Sequence, residues 1–178
     1  MAEIASYATL QIMLGLGDDR LSIYLNDHLA AATAGANLAR RTAGNNAGTG
    51  YGPVLEEVAN EIEEDRAALV DVMERLSVSH DRLKTALAWG AERVGRLKLN
   101  GRLLGYSPLS RLEEIEALSL GVEGKLALWR ALRSTHVSDP RLADIDLEHL
   151  IERARSQRRR LERQRVRAAD EALGQRAG

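Results

Sequence analysis

Cysteine and phenylalanine are both missing from the 178 residues, and only 2 Trp, 4 Tyr and 3 Pro are present. Without cysteine there can be no disulfide scaffold, thiolate zinc site, iron–sulfur cluster or cysteine nucleophile. Sheet-forming residues are scarce, and no strict apolar/polar alternation runs beyond a few positions, so no strand can be recognised. No apolar run reaches the ~18 residues of a membrane span. The opening MAEIASYATLQIMLGL carries Glu3 as its only charge and has no basic n-region, which argues against a signal peptide. Nor is there an excess of one charge. The 25 basic and 26 acidic side chains leave a net −1, so the surface as a whole is not built for nucleic acid.

What is present is helix-forming. Leucine (28) and alanine (26) dominate, and 44% hydrophobic beside 29% charged residues is the balance of a soluble globular chain. At this length one domain is expected, burying roughly 70% of its unfolded surface. The expectation is an all-α, cytoplasmic protein with a flexible N-terminal segment (1–17) and one helical-bundle domain (18–174).

Gly, Asn and Pro punctuate that domain. The first helix is expected over 18–43 on Leu21, Leu25, Ala32, Gly35 and Ala39. Its small residues (Ala31, Ala34, Gly35, Ala39) allow close helix approach. AGNNAGTGYGP (43–53) ends it and reads as the most flexible stretch of the chain; its GTGYG lacks a preceding strand, and Glu56 and Glu57 would repel a phosphate. Pro53 opens a second helix to about Ser77, on Leu55, Val58, Ile62, Leu69, Val72 and Leu76. A shorter helical segment follows Ser79, on Leu83, Leu87, Val94 and Leu97. After LNGRLLGYSP (99–108), a further helix begins at Ser107-Pro108 or at the capping box Ser110-x-x-Glu113. It carries Leu112, Ile115, Val122, Leu126 and Trp129 to about Ser134. The last helix spans about 144–173 on Leu147, Ile151, Ala154 and Leu161. Two antiparallel pairs joined by one long crossover is the plan of a ferritin-like four-helix bundle, here with an additional helix in the crossover.

YLNDHLAAATAG (24–35) and GRLKLNGRLLGYSPLSRLEEIEALSLGVEGKLALWRAL (95–132) resemble a family of uncharacterised actinobacterial helical-bundle proteins. That family is itself similar to the ferritin-like superfamily in fold. The resemblance implies the fold and no activity; 22 Arg against 3 Lys fits a GC-rich genome.

Ferritin-like di-iron sites take a Glu from each of two helices and Glu-x-x-His from each of the others, so that iron or manganese meets carboxylates on inward faces. No Glu-x-x-His occurs in this sequence. The nearest constellation is Asp27, His28, Glu61 and Asp65 as one half-site, with Glu123 and either Glu152 or His149 as the other. Asp65 falls on an apolar stripe, and Asp146-x-x-His149 has the i, i+3 spacing of a ligand pair. The competing reading is that Asp65 and Arg66 are paired with residues on adjacent helices, as buried charges normally are.

Arg153, Arg155, Arg158, Arg159, Arg160, Arg163, Arg165 and Arg167 form a basic stripe near the C-terminus. Arg158, Arg159, Arg160 and Arg163 would be the phosphate-contacting set if the chain bound nucleic acid. Interleaved aromatics for base stacking are lacking. The second helix meanwhile carries eight acids against Arg66 and Arg75. The favoured expectation is that the basic and acidic helices lie together, within one chain or across a dimer. Trp89 and Trp129 are expected in the core, and His80 and His136 in connections. Function is therefore expected to be non-catalytic and to act through self-assembly or a protein partner. Divalent-metal binding or oxidoreductase chemistry is the alternative, and nucleic-acid binding a second one. A membrane partner is not expected.

Overall fold

The computed structural model describes residues 16–79, 106–136 and 139–174. Among them are four long helices: α1 (Leu16–Asn45), α2 (Gly52–Arg75), α3 (Pro108–His136) and α4 (Leu147–Leu173). A single 3-10 turn, Pro140–Leu142, precedes α4, and no strand occurs among the described residues. The expected crossover helix and its Trp89, His80, and the segment before Leu16 lie outside them.

The ends of these helices have local causes. α2 opens on Gly52-Pro53, where the missing proline N–H removes no intrahelical bond. It closes in a Schellman turn: Val78 donates its N–H to the Met73 carbonyl (2.8 Å) and Ser77 to Glu74 (3.0 Å). Ser77 takes the left-handed conformation there (φ 58°), a place usually given to glycine. α3 begins at Ser107-Pro108, the first of the two expected starts, and the Ser107 hydroxyl accepts the Ser110 N–H (3.1 Å). α4 starts two to three residues later than expected, because Asp146 is its N-cap and accepts the His149 backbone N–H at 2.8 Å.

Hydrogen bonds between helices set their directions. Asn26 near the start of α1 donates to the Ser79 carbonyl just past the end of α2 (3.0 Å). Arg41 near the end of α1 reaches Glu114 early in α3 (3.0 Å), and Arg111 at the start of α3 reaches Glu171 at the end of α4 (2.8 Å). Arg153 and Arg160 of α4 meet Glu64 and Glu57 of α2 in reverse order. Each helix is thus antiparallel to both neighbours, in the cyclic order α1, α2, α4, α3. The directions along the chain are up, down, down, up, so the connection between α2 and α3 must traverse the bundle, about 36 Å for the 24 residues of α2.

The core is leucine and alanine around one large side chain. Leu25, Leu55, Val58, Ile115, Leu126, Ile151 and Leu161 are fully buried with Trp129, as expected for that tryptophan. Ala36, Ala39, Ala59, Ala154 and Ala168 fill the close approaches. The stretch 43–53 proves to be a built corner. Asn46 is completely buried there, donating Nδ2–H to the Thr42 carbonyl (2.8 Å) and the Tyr106 hydroxyl (2.6 Å) and accepting from Arg111 Nε (2.6 Å). Tyr51, also buried, lies between the guanidinium groups of Arg111 (4.5 Å from the ring centre) and Arg167 (4.1 Å). Cation–π contact and hydrogen bonding together tie the α1–α2 corner to the ends of α3 and α4.

Candidate functional site: a charged axis beside an apolar cavity

At mid-height the four helices enclose charge. Asp65 of α2 is buried, with 2% of its surface exposed. Its Oδ1 accepts from Arg153 Nε (2.8 Å) and Nη2 (2.6 Å), and its Oδ2 from Lys125 Nζ and Gln157 Nε2 (3.0 Å). Lys125 also donates to Gln157 Oε1 (2.6 Å), which closes a triangle on the bundle axis. Arg153 reaches outward to Glu64 (2.7 Å), and two turns further along α4 Arg160 pairs with Glu57 (3.0 Å) and Glu61.

The periodicity explains the match. Arg153, Gln157 and Arg160 stand at i, i+4, i+7 on α4, and Glu57, Glu61 and Glu64 repeat that spacing on α2, so antiparallel packing sets them opposite one another. The expected contact between the basic and acidic helices occurs within one chain. Burial holds the Lys125 ammonium below the usual lysine range, outweighing the opposite pull of the Asp65 carboxylate.

Beside this axis lies a cavity of about 220 Å³ between α1 and α3. Ala31, Ala32 and Gly35 form one wall and Ala117, Gly121 and Gly124 the other, with Asp65, Lys125 and Trp129 behind them and His28 at one side. From Leu29 to Ala39 α1 carries no charged residue. The α2–α4 side differs from this stretch, since the ion pairs to Arg153 and Arg160 gather there. Burial pushes the His28 imidazole below its ordinary value, against the nearby Asp27 carboxylate, which raises it. Its ring meets Tyr24 edge-on at 4.6 Å.

A lowered histidine pKa means the unfolded chain binds more protons near neutrality, so this contribution is present above about pH 6.5 and is lost as the pH falls below it. The denaturation midpoint of the wild type should therefore drop from pH 7 to pH 5 by more than that of His28→Gln. Parallel curves for the two would remove His28 as the cause.

The glycines of this cavity are not contact points. A Cβ built on Gly35, Gly121 or Gly124 meets nothing within 4 Å. The small residues of α1 were expected to bring helices close; at Gly35 they leave space instead. Mid-helix glycine is less favourable than alanine by roughly 0.5–1 kcal/mol. Gly35→Ala, Gly121→Ala and Gly124→Ala should each stabilise the bundle by about that amount in urea denaturation. A loss of stability in all three would mean that the space is already filled.

The metal constellation does not assemble as a centre. Among the described residues no group of three His, Asp or Glu side chains is placed to hold an ion. Asp65 is surrounded by Lys125, Arg153 and Gln157; Glu61 pairs with Arg160 and Glu123 with Arg158 (2.8 Å). Asp27 and His149 are exposed, and the i, i+3 spacing of Asp146 and His149 is a helix cap, not a ligand pair. Arg66 pairs with Glu63 on its own helix (2.6 Å), not with a neighbour. Of the proposed phosphate-contacting arginines, Arg158 and Arg160 are taken by these acids, while Arg159 and Arg163 are exposed and make no ion pair among the described residues.

Sequence reasoning missed Lys125, Gln157 and the Arg111–Tyr51–Arg167 corner. One signal was available: Lys125 is the only lysine of the described helices and lies between Val122 and Leu126 on an apolar stripe. Comparison of the chain with protein-family models, with curated proteins and with solved structures finds no match. No helix among the described residues is long and apolar enough to cross a membrane.

Proposed function

We propose that this chain is a ferritin-like bundle, akin to the actinobacterial helical-bundle family it resembles, and that it works without catalysis, through assembly with a second copy of itself. The up, down, down, up order of the helices, with a crossover between the second and third, supports the ferritin-like assignment. The observation that carries assembly is Leu120. It is 76% exposed, next to the small-residue cavity that the uncharged 29–39 stretch of α1 also lines. Large apolar groups left in water beside an uncharged surface mark contact sites. A twofold pairing brings the same surface of two copies together, and an uncharged surface is matched by its own copy.

The charges of α2 and α4 offset one another inside the chain, so charge complementarity does not serve assembly as it was expected to. Iron or manganese binding would require Asp65 to exchange both cationic partners for the ion, and nucleic-acid binding would be left with Arg159 and Arg163. Both readings are therefore secondary. Sedimentation equilibrium over a wide range of chain concentration tests the proposal. The expected result is a mass that rises from one copy to two; a single-copy mass throughout would sink it.

A further inference from the structure

The space between α1 and α3 is kept open by the sequence at some energetic disadvantage. Gly35, Gly121 and Gly124 are interior to helices, and all three face the same cavity. None is needed for close helix approach, since each has room for a methyl group. Glycine at such positions is destabilising relative to alanine, so packing among the described residues does not account for them.

The polar groups at the back of the cavity are incompletely satisfied in one direction. Trp129 is fully buried, and its indole N–H has no acceptor among the described residues. That nitrogen has almost no accessible surface of its own, so the cavity reaches the Trp129 ring and not its N–H. Lys125 has three ammonium hydrogens, and its observed acceptors are Asp65 and Gln157. Charge points the same way. Inside the bundle the one carboxylate of Asp65 faces two cations, Lys125 and Arg153, while Glu64, which balances Arg153, is exposed. One donor with hydrogen to give, Lys125, and a surplus of positive charge stand behind walls of Gly, Ala and Leu.

We infer that this cavity is a binding site for a small carboxylic acid with an apolar body, its carboxylate taken by Lys125 and its body lying along Gly35, Gly121 and Gly124. An apolar cavity of about 150 Å³ admits benzene, so about 220 Å³ suits a body somewhat larger, such as a straight chain of about eight carbons or a substituted ring. Low surrounding polarity strengthens the charge-assisted hydrogen bonds to the head group. This goes beyond assembly and does not depend on it, since the residues that define the site differ from Leu120.

The test is calorimetric titration of the full-length chain with octanoate and benzoate, and with 1-octanol as the uncharged control. Saturable binding is expected, with octanoate held about tenfold or more tightly than octanol. Lys125→Met should erase that preference while leaving octanol binding in place; Arg153 still compensates Asp65 in this variant. Should Lys125→Met not fold, Lys125→Gln is the second variant, and it should weaken octanoate several-fold with octanol unchanged. Gly35→Leu and Gly124→Leu fill the space, and they should abolish binding of both probes without lowering the melting temperature. In NMR spectra the Trp129 ring resonances should shift on addition of octanoate, since the ring lines the cavity. The inference fails if the wild type takes up neither carboxylate saturably, if octanol and octanoate bind equally, or if the leucine variants bind as the wild type does.

Discussion

Replacing Asp65 with alanine should lower the stability of the bundle by about 3–5 kcal/mol in urea denaturation at neutral pH. The magnitude follows from what the carboxylate leaves behind. Its side chain is 1% exposed and holds Lys125, at 13%, and Arg153, at 16%. Without it Lys125 keeps only Gln157 and Arg153 only the exposed Glu64, and a buried charge stripped of its partner costs far more than the pair itself contributes. Asp65→Asn should fall between, because it keeps hydrogen-bond acceptors and loses the charge.

The pH dependence supplies a further check. Lys125 is already held below its usual value by burial, and loss of Asp65 removes the charge that opposes this. A lysine whose folded pKa lies below its unfolded one gains stability as the pH rises. The gap between wild type and Asp65→Ala should therefore narrow toward pH 10. Simultaneous replacement of Asp65, Lys125 and Arg153 by leucine or methionine should recover most of the loss, as exchange of buried ion clusters for apolar groups commonly does. A loss below about 1 kcal/mol for the alanine variant would mean that water reaches the network freely. Loss of a metal signal in Asp65→Ala, taken alone, would mark damage to the bundle and not a vacated ligand position.

Leu120→Glu is expected to weaken self-association by about a thousandfold. In a twofold pairing the residue occurs twice, and burial of each leucine contributes roughly 2 kcal/mol, so about 4 kcal/mol is removed. The folded single chain should hardly notice. Leu120 is 76% exposed there, and substitutions at such positions usually change stability by less than about 0.5 kcal/mol. Sedimentation equilibrium and a melting curve on the same samples separate the two effects. Association of Leu120→Glu equal to that of the wild type would place the contact elsewhere on the molecule and remove the argument from the uncharged stretch of α1.

Much of this molecule is legible from its sequence because it is local and periodic. The leucine and alanine stripes, Pro53 and Pro108 as helix openers and the breaks read at AGNNAGTGYGP (43–53) and HVSDPRLAD (136–144) are enough to yield four long helices in two antiparallel pairs. The excess of acids on α2 and of arginines on α4 likewise anticipated their contact, since opposite charge runs on two helices can pair at several relative heights. Where a spacing has two physical uses, the sequence was ambiguous. Asp146 and His149 could be a ligand pair or a cap, and the backbone N–H of His149 decided for the cap.

The sequence alone determined the helical class, the pairing plan and which stripes are buried, because each depends on residues within a turn or two of one another. Only the tertiary structure decided that Asp65 meets Lys125, 60 residues away, and Gln157, 92 away, and that Tyr51 lies between Arg111 and Arg167. It also decided that the glycines of α1 and α3 enclose space instead of closing it. Those outcomes depend on the rotation and relative height of helices about their axes, which are set jointly by all the side chains packed between them and are written in no single segment.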